Sequence, residues 1–273
     1  MYAPVKPLEF KEELFPLRKG KYEVSPGLSP LDSDVFLKDQ NFNDYIEQKS
    51  ICFNENKDKY LCLDEEFLSN ESVYQNFLNQ CASKDYSSIA QMTLNTQEDF
   101  ALMKGEKAIA ISLCFPNHWD PREKISQDFN HIHIPVADFG QIAKNATRLS
   151  RSLIERGPFK RFAWGLSTDT RLNHHPESPK GVSDELWYGR SFKNDGNHKL
   201  YMRIERQHMV GLAEENICLF TIRTYFLDVA QIPARELKLL KEAIVSMTDD
   251  TLSYKGIKKN LDDVISYIDE LIG

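Results

Sequence analysis

No two cysteines in this chain are spaced as CxxC, and the five present, Cys52, Cys62, Cys81, Cys114 and Cys218, are odd in number. That argues against a disulfide or zinc framework and for reduced thiols in a cytosolic protein. No apolar run approaches membrane length, and the first stretch, MYAPVKPLEFKEELF, has no apolar h-region. The expectation is a soluble, intracellular, cytoplasmic chain without membrane contact. Basic surplus is also missing: the net charge is −7, whereas nucleic acid calls for a basic surface or stripe. There is no G-x-G-x-x-G and no P-loop, so nothing favours a dinucleotide fold. Repeats and low-complexity tracts are absent. Spacing supports no Ser-His-Asp or Cys-His arrangement, and Cys114, in an apolar stretch, reads as inert packing.

What is present suits one large domain or two small ones. The 273 residues are 41% hydrophobic and 27% charged, ordinary for a globular chain able to bury a core. Residues 1–45 hold seven prolines or glycines and little periodicity, and read as an irregular arm laid on a body formed by 46–273. Phe67, Val73, Phe77 and Leu78 space a helical stripe over 64–82, with a break near Ser69–Ser72. Residues 107–115 (KAIAISLCF) read as a buried strand closed by Pro116. Residues 130–136 (NHIHIPV) alternate, which predicts a strand with His131 and His133 on one face. Ile142, Ala146, Leu149 and Leu153 predict a helix from Asp138, its N-cap, to the stop at Gly157-Pro158. RFAWGL at 161–166 reads as a short strand, and 167–198 as polar loop. Residues 199–209 and 216–227 form a hairpin joined by the six residues GLAEEN. Two helices follow, striped by Leu237, Leu240, Ile244 and Met247 and by Leu261, Ile265, Ile268 and Ile272. Antiparallel strand signals interleaved with helices predict an α+β fold.

Two stretches hold the candidate site residues, because buried polar groups must be paired or ligated. In the first, His131 and His133 could share a metal or haem iron, with His118 as a third imidazole; the bland alternative is one surface and one core histidine. His174 and His175, adjacent on a polar loop, are expected to be solvated. In the second, RIERQ places Arg203, Glu205 and Gln207 on one strand face and Met202, Ile204 and Arg206 on the other. This is either a cross-strand ion pair, Glu205 with Arg203 or Arg223, or an anion clamp suited to a carboxylate. Trp119, Trp164, Trp187 and Tyr225 could line a pocket for a flat cofactor, or be core. Asp120–Lys124 and Gln97–Asp99 read as solvated turns.

QEDFALM at 97–103, SLCFPNHWDPREKI at 112–125, IHIPV at 132–136, RFAWGL, MRIERQHMVGL at 202–212, LFTIRTY at 219–225 and SYKG at 253–256 occur in one order. Taken together over residues 15–270, they resemble the haem-dependent oxidative N-demethylase α-subunit family. The resemblance implies a PAS-like antiparallel sheet with flanking helices, carrying a b-type haem on a histidine. The implied activity is oxidative N-demethylation of a small secondary amine, releasing formaldehyde, with electrons from NADPH through a separate flavin and iron–sulfur reductase. By position it implies His133 as iron ligand; Arg203, Arg206, Gln207, Trp119 and Trp164 around the cofactor; and Glu205, Arg223 and Tyr225 in catalysis. The alternatives are a non-enzymatic haem or small-ligand module, or a non-haem metal site on the HxH stretch. The chain departs from the family pattern at Ala163, where an Asn is usual, at Ala137, where a second proline is usual, and at Val210, Gly211 and Ala213.

Overall fold

The computed structural model describes residues 2–273. Seven strands form one antiparallel sheet: β1 (Ser29–Pro30), β2 (Leu61–Leu63), β3 (Asp99–Lys104), β4 (Lys107–Ser112), β5 (Phe159–Ser167), β6 (Tyr201–Leu212) and β7 (Ile217–Asp228). Across the sheet they run β1-β5-β6-β7-β3-β4-β2. Helices flank it: α1 (Phe42–Tyr60), α2 (Glu65–Ser69), α3 (Glu71–Ala82), α4 (Ile89–Thr93), α5 (Phe129–Ile132), α6 (Gly140–Ala143), α7 (Ala146–Arg156), α8 (Asp184–Tyr188), α9 (Ala234–Val245), α10 (Asp249–Tyr254) and α11 (Leu261–Ile272). The fold is mixed, with helices packed on an antiparallel sheet, as the strand and helix patterns require.

The sheet has one closed and one partly open face, and alternation along β6 assigns each residue to one of them. Met202 and Ile204 of β6 and Leu227 of β7 pack against Leu237, Leu240 and Ile244 of α9 and Ile268 of α11. Further along that closed face, Leu102, Leu219 and Ile217 meet Phe67, Phe77 and Leu78 of α2 and α3. Arg203, Glu205, Gln207 and Met209 point to the other face. There α7 covers one end, with Ile154 against Met209 and Cys218. Gly211 makes this approach possible, since a Cβ at that position would overlap the Ile154 carbonyl. At the other end, Phe226 is covered by Tyr45, Phe115, Leu172 and Trp187.

Several expectations need correction. Residues 130–136 are not a strand: Asp128 caps the single turn of α5 by accepting from the His131 amide at 2.8 Å, and Ile134 is 71% exposed. A six-residue alternation cannot outweigh a capped turn followed by proline. Asp138 is not an N-cap. It sits at φ +59 and accepts hydrogen bonds from the Thr248 and Thr251 hydroxyls, while the helix expected from it is split into α6 and α7. Gln97, Glu98 and Asp99 are buried rather than solvated, with Asp99 at the start of β3, and Asp120 and Lys124 are buried beside exposed Arg122 and Glu123. His174 and His175 are also buried. The stretch 107–115 leaves the sheet at Ser112, and the β6–β7 connection is 213–216, because both strands run longer than their apolar cores.

Candidate functional site

The open face carries a hydrogen-bonded row of charged and amide groups. Arg161 of β5 lies opposite Gln207 of β6, and its Nε donates to Gln207 Oε1 at 2.7 Å. Gln207 Nε2 donates to Glu205 Oε2 at 3.1 Å, and Glu205 Oε1 is 3.7 Å from Arg203 Nε. Arg203 is committed elsewhere: Nη1 donates to the Leu172 carbonyl at 3.0 Å and Nη2 to that of Phe115 at 2.8 Å. It pins two loop segments to the sheet, and its fork is not free to grip an external carboxylate.

Above this row the face is not filled. Across from Glu205 and Arg203, β5 presents only Ala163 and Gly165, and a Cβ built on Gly165 meets no atom within 4 Å. Both, with Glu205 and Arg161, are only half-buried: β6 lies inside the sheet, and β5 is its open edge beyond Lys160. The result is a cleft floored by small residues. Its rim comes from distant segments. The charge of Glu205 reaches Arg161, Arg203, Tyr254 and Lys255, and the charges of Arg190 and Arg203 reach His118. Asp138, bonded to Thr248 and Thr251, ties the His133 segment to α10, whose end supplies Tyr254 and leads into Lys255.

Charge in the cleft is one-sided. Arg161 donates to the Gln207 amide and the Pro26 carbonyl, Arg190 to the Asn117 amide oxygen, and Lys255 to the Trp164 carbonyl. These acceptors are neutral. Glu205 therefore faces Arg161 and Lys255, which have no other acid bonded to them, besides Arg203, and Arg190 lies near Arg203 and Lys255. Burial, with Arg190 nearby, brings Lys255 down to about 8, and burial likewise lowers Arg161 and Arg190. Such an arrangement is suited to a ligand carrying negative charge.

Two imidazoles border the same space. His133 lies between Phe129, with centroids 4.4 Å apart, and Phe139, stacked at 4.6 Å. Its Nδ1 donates to the Phe129 carbonyl at 2.7 Å, which fixes the proton there and leaves Nε2 as the lone-pair nitrogen. Burial lowers its pKa, with the Arg161 charge acting in the same direction, so the ring is neutral, as a metal ligand must be. His118, at φ +63, stacks on His174 at 5.6 Å, and burial with Arg190 beside it lowers it to about 2. His174 is held by Asp169 at 3.1 Å. His131 is exposed on α5 and does not share a face with His133. Among the described residues no group of three or more His, Cys, Asp or Glu side chains is placed to hold a metal ion, which does not favour the HxH metal alternative.

The site residues named from the sequence divide between the two faces. Arg203, Glu205 and Gln207 are on the cleft side, as are His133 and Trp119, the latter packed against Ile111 and Leu113. Arg206, Arg223, Tyr225 and Trp164 are on the closed face. Arg206 stands opposite Arg223 and over the Tyr225 ring, and Trp164 packs at the α9–α11 core with Tyr22 edge-on. Arg223 pairs with Asp39 at 2.5 Å, not with Glu205, whose cross-strand neighbour is Thr224. Arg161, Arg190, Tyr254 and Lys255 were not singled out from the sequence. The signal for Arg161 was its two-residue spacing from Ala163 and Gly165, and for Lys255 its place in SYKG; Arg190 carried none.

The cleft suits haem on three counts. A floor of small residues admits a flat ring, cations lacking acid partners suit two carboxylates, and a neutral imidazole offers a free nitrogen. The class defined by the fold is a mixed α and β protein with helices flanking one antiparallel sheet. Residues 61–265 match the family model described as haem-dependent oxidative N-demethylase, alpha subunit-like, and the chain belongs to that family.

Proposed function

We propose that this protein is a haem-dependent oxidoreductase that removes a methyl group from a small secondary amine. The observation that carries the reading is the cleft over Ala163 and Gly165, where Glu205 lies among Arg161, Arg203 and Lys255, with Arg190 near the last two. His133 would hold the iron through Nε2, with the Phe129 carbonyl fixing its tautomer. Arg161, Arg190 and Lys255 would receive the propionates, Trp119 would wall the cleft, and Arg203 and Gln207 would keep Glu205 in place. The five long strands lie in the order 2-1-5-4-3 by their sequence of appearance, which supports the PAS-like reading.

When bound, haem supplies oxygen activation: one oxygen atom enters the N-methyl group, and the other leaves as water with two electrons and two protons. The electrons would come from NADPH through a separate flavin and iron–sulfur reductase, and the alpha-subunit description of the family fits a partner of that kind. The chain's own contribution is positioning and proton handling. Glu205, half-buried and aimed into the cleft, can accept a hydrogen bond from a substrate ammonium. It can then take the proton from the hydroxymethyl amine as that breaks into amine and formaldehyde. Arg203 on one side and Gln207, itself bonded to Arg161, on the other hold its carboxylate in place. No helix is long and apolar enough to cross a membrane.

The test is formaldehyde release. Haem-loaded protein given a reductase, NADPH and a secondary methylamine should release one formaldehyde per amine demethylated. A haem spectrum without amine-dependent formaldehyde, across a panel of small methylamines, would favour the non-enzymatic haem module instead.

A further inference from the structure

The closed face hides a second polar cluster, separated from the cleft by the sheet itself. Arg206 and Arg223 stand directly opposite each other there, with His208 and Thr221 as the next pair and Glu98 just before the start of β3 beside Arg223. Like charges in direct cross-strand register repel; Asp39 and Glu98 offset the charge of Arg223, whose guanidinium lies 3.9 Å from the Tyr45 ring centroid, and Arg206 has no acid bonded to it among the described residues. Arg223 is 1% exposed and has a partner, Asp39, for one nitrogen alone. Out of solvent and without a hydrogen-bond partner among the described residues are Arg223 Nε and Nη1, Arg206 Nε, Thr221 Oγ1, Tyr225 Oη, Glu98 Oε2 and His208 Nε2. Leaving even one such group unpaired costs about 1–3 kcal/mol, so a cluster of them favours a polar occupant.

The chemistry of those atoms defines what fits. Two guanidinium groups and two hydroxyls offer donors. His208 Nδ1 donates to the Val35 carbonyl at 2.9 Å, so its Nε2 is an acceptor, and Glu98 Oε2 is another. We propose that this cluster binds a small carboxylate between Arg206 and Arg223, with a hydroxyl or amino group on the ligand reaching Glu98 or His208. A phosphate dianion fits less well, because it would face those two acceptors. The arm segment 35–39 roofs the site: Val35 accepts from His208, the Leu37 amide donates to Glu98 Oε1 at 3.0 Å, and Asp39 grips Arg223. Ligand exchange therefore requires this segment to lift. The inference is independent of the haem reading, because none of these side chains faces the cleft.

Isothermal titration of the full chain with acetate, glycolate and inorganic phosphate, against sodium chloride at equal ionic strength, tests it. Glycolate should bind more tightly than acetate, and phosphate should bind weakest. Arg206→Gln should weaken glycolate at least about tenfold while haem titrates as in the unaltered chain, and Thr221→Val should weaken it to a smaller extent. A crystal structure grown in glycolate should show the carboxylate between the two arginines, which reads the site even where a variant fails to fold. Water alone between Arg206 and Arg223 in those crystals would overturn the proposal. So would glycolate binding undiminished in Arg206→Gln, or loss of haem binding in that variant, which would place Arg206 in the cofactor site.

Discussion

Lys255 donates from Nζ to the carbonyl oxygen of Trp164 at 2.6 Å, across the edge of β5 that β1 leaves uncovered beyond Lys160. The lysine is a clasp on the sheet edge, with Nζ 4.9 Å from the Trp164 ring centroid and 5.0 Å from that of Tyr22, and it is within reach of the Glu205 charge. Its pKa, about 8 in the folded chain, lies well below the unfolded value of about 10.4. The unfolded chain thus holds a proton that the folded chain lacks between pH 8 and pH 10.4, so this group makes stability rise with pH across that window. A propionate held here, as proposed, would favour the charged form and make haem binding proton-linked. Haem affinity should be level below pH 8 and fall above it. Lys255→Met should bind haem more weakly at pH 7 and lose that fall, as read by Soret titration at pH 7 and pH 9. An unchanged pH profile would remove Lys255 from the cofactor site.

Glu205 is the counter-charge of the cleft. Glu205→Gln keeps the shape and removes the charge, leaving Arg203, 2% exposed, without its acid neighbour. The loss should be about 2 kcal/mol in denaturant unfolding, the scale of a hydrogen bond to a charged group. Haem affinity should not fall, since the positive surplus grows, but amine turnover should drop by at least about a hundredfold. Weaker haem binding in this variant would contradict the assignment of charge in the cleft.

Two glycines separate fold from site. Gly211→Ala would drive a methyl group into the Ile154 carbonyl and should destabilise the chain by about 1–3 kcal/mol, the range of steric overpacking with backbone shift. Gly165→Val meets no such obstacle and should leave the melting temperature level or higher, since glycine weakens a strand interior. It should nevertheless weaken haem binding by filling the floor of the cleft. A Gly165→Val protein with full haem affinity would move the cofactor elsewhere.

Acid stability follows from the buried imidazoles. His174 and His208 are held down at about 4 and His118 at about 2, each chiefly by burial. The unfolded chain takes up protons near pH 6.5 that the folded chain refuses, so stability should fall steadily as pH drops below about 6.5. Unfolding midpoints between pH 7 and pH 4.5 give the slope. His208→Gln should flatten it by roughly one proton.

The part of this arrangement legible in the sequence was the part built from long, regular elements. The alternation in MRIERQHMV assigned Arg203 and Arg206 to opposite faces, and the stripes of α9 and α11 marked their core sides. The His133 segment was misread because Asn130–Val136 alternates by chance over a span shorter than one confident strand, while the decisive group was the Asp128 cap. Arg190 was invisible as a site member because nothing local marks it, and the place of Tyr254 and Lys255 in SYKG does not tell what they approach. They reach the cleft through α10 and the loop after α8, whose placement depends on contacts such as Asp138 with Thr248. Burial of His174 likewise depends on Asp169 and Pro116, whose backbone oxygen accepts from the His174 amide.

The central claim is that haem sits in this cleft on the Nε2 of His133. The most direct measurement is the absorption spectrum of haem-reconstituted protein, with His133→Ala compared with His118→Ala and with His131→Ala, an exposed control. The account predicts a histidine-ligated Soret spectrum that His133→Ala alone abolishes, with folding intact by circular dichroism. The same spectrum surviving in His133→Ala and vanishing in His118→Ala would contradict it and move the iron to the other rim of the cleft.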